Sequence, residues 1–78
     1  MSGDIFSTDS FVLASYLLCE SCRLLYLDKK DPRKANFVFK ESPDRQKLTE
    51  LFLSHKAKIE PHRFFSAQKD LKQMLYES

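Results

Sequence analysis

The chain carries one glycine in 78 residues, Gly3, close to its N-terminus. Glycine-rich phosphate loops and dinucleotide-binding turns need several backbone positions without a Cβ, so this sequence cannot form either. Tryptophan is absent. No apolar run approaches the roughly 20 residues that cross a bilayer; the longest, Phe11 to Cys19, is interrupted by Ser15. Met1-Ser2-Gly3-Asp4 lacks the positive region and cleavage site of a secretory signal. The expectation is a cytoplasmic protein without a membrane partner, in a compartment that keeps its two cysteines as thiols.

Charge of one sign is also scarce. Thirteen basic residues stand against eleven acidic ones, for a net charge of +2. That balance permits contact with nucleic acid but falls short of a strongly basic footprint. Hydrophobic residues at 42% and charged residues at 31% exclude a disordered chain. A chain this short buries about 60% of its unfolded surface, enough for one small core and no second domain. Enclosing a substrate pocket of several hundred Å³ is difficult at this size. No nucleophile has a base at a recognisable spacing, and no carboxylate pair stands in an apolar setting. We therefore expect no enzymatic activity, no cofactor and no small-molecule substrate.

Periodicity supplies the architecture. Residues 1–6 read as a flexible arm, with Ile5 and Phe6 tucked against the core, ahead of a single domain over 7–78. Ser7-Thr8-Asp9-Ser10 offers N-cap candidates before a helix predicted from about Asp9 to Glu20. Its stripe is Val12, Tyr16 and Cys19, with Leu13 and Leu17 beside it. Arg23–Asp28 is short, apolar and flanked by charge, and reads as a strand. Residues 29–33 contain Pro32 and read as a turn. Lys34–Lys40 alternates, with Ala35, Phe37 and Phe39 on one face and Asn36, Val38 and Lys40 on the other, as a half-buried strand does. Ser42-Pro43 is a helix start, and Leu48, Leu51 and Phe52 face inward to about Ser54. Residues 56–59 read as extended or as a very short strand. Pro61 opens a last helix, with Phe64, Ala67 or Gln68, Leu71 and Leu75 at helical spacing. The expected fold class is α+β, in the order α-β-β-α-α, with an antiparallel hairpin packed on helices. A lone hairpin is marginal, so it must pack on helices or gain a strand, and a homodimer that continues the sheet is one way to gain one.

Three clusters are candidate sites. Cys19 and Cys22 form a Cys-x-x-Cys pair, the spacing of half a zinc site or of a redox dithiol. A helix C-terminus opposes thiolate formation, and His55 and His62 are too far apart for the usual zinc spacing. The expected reading is therefore a small core thiol and a partly exposed one. Lys29, Lys30, Arg33 and Lys34 surround Asp31 in the turn, as a basic wing that contacts phosphates or as gatekeepers of a sheet edge. Lys58 and Arg63 flank the start of the last helix within a basic stretch that includes His55, Lys56 and His62. A helix N-terminus favours anions, and Glu60 competes for that position as a cap.

The pattern as a whole resembles a family of short prokaryotic proteins catalogued only as a domain of unknown function. Ser7-Thr8-Asp9, Leu13-Ala14, Tyr16-Leu17-Leu18, Phe37-x-Phe39, Pro61-x-x-Phe64, Leu71-Lys72 and Leu75-Tyr76 carry the resemblance, over about residues 6 to 76. These are caps and core positions, so the resemblance implies a fold and assigns neither catalytic residues nor a partner. The expected function is weak, sequence-independent contact with a DNA or RNA backbone through Lys29, Lys30, Arg33, Lys34, Lys58 and Arg63. The alternative is a protein–protein or self-association module marked by exposed Leu53, Phe65 and Met74.

Overall fold

The computed structural model describes residues 4–20, 22–31 and 34–77. The order of elements is β1 (Ile5–Thr8), α1 (Phe11–Cys19), β2 (Leu24–Asp31), β3 (Lys34–Lys40), α2 (Pro43–Leu53) and α3 (Pro61–Glu77). Three helices and a three-stranded antiparallel sheet make this an α+β fold. The strand order is β1-β3-β2.

β1 departs from the sequence-based reading. Ile5 and Phe6, assigned there to an arm, are its first two residues, and Phe6 pairs with Phe39 of β3. The strand that a hairpin needs for stability therefore comes from the chain's own N-terminal segment, ahead of the first helix. Residues 1–3 of the expected arm lie outside the described residues. Residues 56–59 form no strand; they are irregular backbone leading to α3. β2 runs past the expected turn to Asp31, which pairs with Lys34, so the connection shrinks to residues 32–33, outside the described residues.

The register defines two faces. Phe6, Leu24, Leu27, Phe37 and Phe39 lie on the side that packs with the helices, in a cluster with Leu13, Ala14, Tyr16, Leu17 and Leu71. Ser7 and Tyr26, the partners of Val38, lie on the other side. The molecule is flat, with extents of 34 × 32 × 18 Å, the thickness of one sheet on one helical layer. Its accessible surface is 5764 Å², above the about 4,900 Å² expected for the mass. Flatness gives it a small core and a large surface.

α1 is the centre of that core. Leu13, Ala14, Ser15, Tyr16, Leu17 and Cys19 are all buried, whereas Val12, expected on the inner stripe, is exposed. A helix this apolar on most sides is packed from several directions, here by the sheet, α3 and α2. Ser15, buried inside it, donates its hydroxyl to the Phe11 carbonyl at 2.8 Å. The Ser10 side chain caps α1, accepting the Leu13 N–H at 3.2 Å. Ser42 does the same for α2 through Arg45 N–H at 3.1 Å, with Pro43 at the first helical position. Leu48 and Phe52 of α2 pack on the core as expected; Leu51 is exposed.

α2 ends without glycine. His55 takes the left-handed conformation, at φ 62°. Its N–H reaches the Phe52 carbonyl at 3.2 Å, and that of Lys56 reaches the Leu51 carbonyl at 2.9 Å. This is the Schellman closure, with histidine at the position that glycine usually fills. His55 thus has a backbone role at the end of α2.

Candidate nucleic-acid interface

α3 positions the site. Phe64, Ala67, Leu71 and Leu75 anchor one side of it in or against the core. That fixes which residues face water on the other side. His62, Phe65, Lys69, Lys72 and Tyr76 are all exposed. At 3.6 residues per turn they fall within an arc of about 80° and span about 21 Å along the axis. No acidic residue occupies that arc. Phe65 is 65% exposed and Tyr76 is 84% exposed. The ion pairs found among the described residues, Lys34–Asp9 and Arg45–Glu41, involve neither Lys69 nor Lys72. Their ammonium groups are therefore available to an outside anion, with a ring near each end of the stripe.

The residues expected from sequence fare differently. Arg63 donates its guanidinium to the Cys19 carbonyl at 2.6 Å. It thereby closes the C-terminal end of α1, where a cation complements the helix dipole. Lys29 donates its Nζ to the Leu75 carbonyl at 2.6 Å, tying β2 to the last turns of α3. Lys34 pairs with Asp9 at 3.1 Å, an exposed contact worth about 0–1 kcal/mol. Lys30 and Lys58 have exposed side chains. Arg33 lies outside the described residues. Glu60 occupies the start of α3, accepting the His62 and Arg63 N–H groups at 3.1 and 3.0 Å, so a carboxylate already fills the position a phosphate would take.

The two basic clusters lie toward opposite ends of α3. Lys58 precedes its first turn, and Lys29 reaches its last turns. Lys69, Lys72 and Tyr76 stand outside both clusters, although the spacing 62, 65, 69, 72, 76 already marks one helix face. Leu53, Phe65 and Met74, expected as the exposed marks of an interaction module, are all exposed; Phe65 and Met74 are about 180° apart around α3.

If the Arg63 bond is structural, Arg63→Gln should lower stability by about 1 kcal/mol. Lys58→Gln should leave the thermal melt unchanged. Equal effects of the two substitutions would show that the bond to the Cys19 carbonyl carries no weight in solution.

The cysteines sit at the end of α1. Cys19 is buried and Cys22 half-buried, and the Cys22 N–H bonds the Leu17 carbonyl at 2.9 Å. Burial pushes both thiols up, Cys19 against the pull of Arg63 and Cys22 with further help from Asp44. Burial thus disfavours the thiolate, the reactive form, at both positions. Among the described residues no three His, Cys, Asp or Glu side chains are grouped to hold a metal ion. An open groove of about 440 Å³ lies between Leu18 and Cys19 of α1 and His62, Arg63, Ser66 and Asp70 of α3. No helix among the described residues is long and apolar enough to cross a membrane.

Compared with known proteins, residues 3–77 match the model of a family described as Domain of unknown function (DUF5659). Neither a curated protein nor a solved structure matches the chain.

Proposed function

The chain belongs to that family, whose description assigns no activity, and we propose that it is a non-catalytic module that binds nucleic acid through the solvent face of α3. The acid-free arc of His62, Phe65, Lys69, Lys72 and Tyr76 is the observation that carries this reading. Lys69 and Lys72 neutralise phosphates and release counterions without reading sequence. Lys58, exposed just ahead of α3, adds a cation near the start of the helix. Arg63 and Lys29 hold the scaffold that presents it, through their bonds to helix-end carbonyls.

Fluorescence anisotropy with labelled oligonucleotides tests the reading. Affinity should fall steeply between about 50 and 200 mM salt. Lys69→Gln with Lys72→Gln should weaken binding at least tenfold. The same pair should flatten the log–log salt slope by roughly 1.4 to 1.8, because two phosphates are no longer neutralised. No binding at the lower salt would remove the proposal.

A second reading rests on the sheet. β2 is an edge strand of eight residues, with Leu25 and Tyr26 exposed at its irregular register. Such an edge is open to pairing with another chain. In this reading the protein is a self-association module, and its solution mass would be twice the 9.2 kDa of the chain.

A further inference from the structure

We infer that the α3 face takes single-stranded rather than duplex nucleic acid, by stacking unpaired bases on Phe65 and Tyr76; this rests on the nucleic-acid reading above. Phosphate contact alone needs cations, and Lys69 and Lys72 supply them. It does not need two aromatic rings in water. Phe65 and Tyr76 are among the most exposed large apolar side chains of the fold, at 65% and 84%, and they share one arc with the lysines. Seven other aromatic residues of the described chain are buried or half-buried, and the third exposed one, Tyr26, lies on the sheet. The two rings are about 16 Å apart along the axis, with both lysines between them. That order suits an extended strand whose backbone crosses the ammonium groups while a base near each end turns onto a ring.

A duplex cannot use the rings in this way. Its bases are already stacked on one another, so a helix lying in a groove meets phosphates, sugars and base edges, and no base face is open to a ring. A lipid surface is also a poor fit. The continuous apolar side of α3 is committed to the core through Phe64, Ala67, Leu71 and Leu75, and the exposed arc offers only two separate rings among cations, not the broad apolar face that enters a bilayer interface. Both rings lie outside the core, so their replacement leaves the fold in place and binding is read directly.

The experiment compares labelled strands of about 12 nucleotides: single-stranded DNA and RNA, the matching duplex, and an abasic strand that keeps the phosphates and lacks the bases. Anionic phosphatidylserine vesicles serve as a competitor. Single strands should bind at least tenfold more tightly than the duplex and the abasic strand. Phe65→Ala and Tyr76→Ala should each weaken single-strand binding roughly five- to a hundredfold. Duplex binding and the salt slope should hardly change. Equal affinity for single strand, abasic strand and duplex would overturn the stacking inference and leave the phosphate reading standing. Competition by the vesicles as effective as that by unlabelled single strand would also overturn it. No binding to any probe at low salt would end both readings.

Discussion

Replacing Phe39 by alanine should remove about half or more of the stability of the fold. Phe39 is fully buried in the central strand and pairs with Phe6 on one side and Leu24 on the other. Its ring belongs to the cluster formed by α1, Leu71 of α3 and the inner face of the sheet. Removing a buried phenylalanine ring costs about 3–5 kcal/mol, with the high end applying where neighbours cannot close over the cavity. Here both flanking strands are fixed in register, so closure is restricted. Domains of this size are stable by about 4–12 kcal/mol in all. The flat shape, with its surplus surface, argues for the lower part of that range. Circular dichroism with urea titration should therefore show a midpoint displaced by about half or more of its native value. Phe65→Ala, at an exposed ring of equal size, should stay within about 0.5 kcal/mol of the native protein. A loss below about 1 kcal/mol for Phe39→Ala would place the centre of the core elsewhere.

The contrast between those two phenylalanines shows what the sequence made legible. Phe37 and Phe39 alternate with Asn36, Val38 and Lys40, and period two identifies a strand without further context, although Val38, on the other face, is buried as well. Ser42-Pro43 marks a helix start through local geometry alone, and the inward residues of α3 follow from their spacing. Signals of this kind lie within a few residues of one another. β1 has no such signal, because Ile5–Thr8 is four residues long and becomes a strand only by pairing with β3, about thirty positions away. The face of α1 was equally hard to choose, since a helix that is apolar nearly all round has no single stripe. In the candidate site, Arg63 and Lys29 look like ordinary surface cations until folding brings the Cys19 and Leu75 carbonyls to them, at sequence separations of 44 and 46. The α3 arc is the opposite case: its spacing is local, and its importance emerges once the neighbouring cations are seen to be engaged elsewhere.

Arg45→Ala should also be strongly destabilising, and it should alter the response to acid. Arg45 is charged and yet only 8% exposed. Burying a guanidinium is costly unless it is paired and hydrogen-bonded, and Arg45 is both. Its Nε donates to Glu41 Oε1 at 2.5 Å, and its Nη2 donates to Glu41 Oε2. Its Nη1 donates to Thr49 Oγ1 at 3.2 Å. The guanidinium carbon lies 3.9 Å above the Phe6 ring, so one side chain clamps β1, the segment before α2, and α2 itself. Truncation removes these interactions and the stem that packs beneath them. Glu41, about a third exposed, regains water in the variant, which keeps the loss below that of a fully buried pair, at about 2–3 kcal/mol. The hydrogen bonds from Arg45 hold the Glu41 carboxyl below its usual range, against the opposing effect of burial. A carboxyl depressed in the folded state stabilises at pH values above its unfolded pKa, here near 4.5. That contribution is lost as pH falls through the folded value. Native protein should therefore lose stability below about pH 4.5 more steeply than Arg45→Ala does, and Glu41→Gln should show the same shallower profile. The acid response of the other carboxylates is common to all three proteins, so the difference isolates the pair. Urea midpoints measured across pH 3 to pH 7 decide the matter. Parallel curves for the native protein and both variants would mean that the Arg45–Glu41 pair carries no pH-dependent stability, and coincident curves that the clamp adds nothing to the fold.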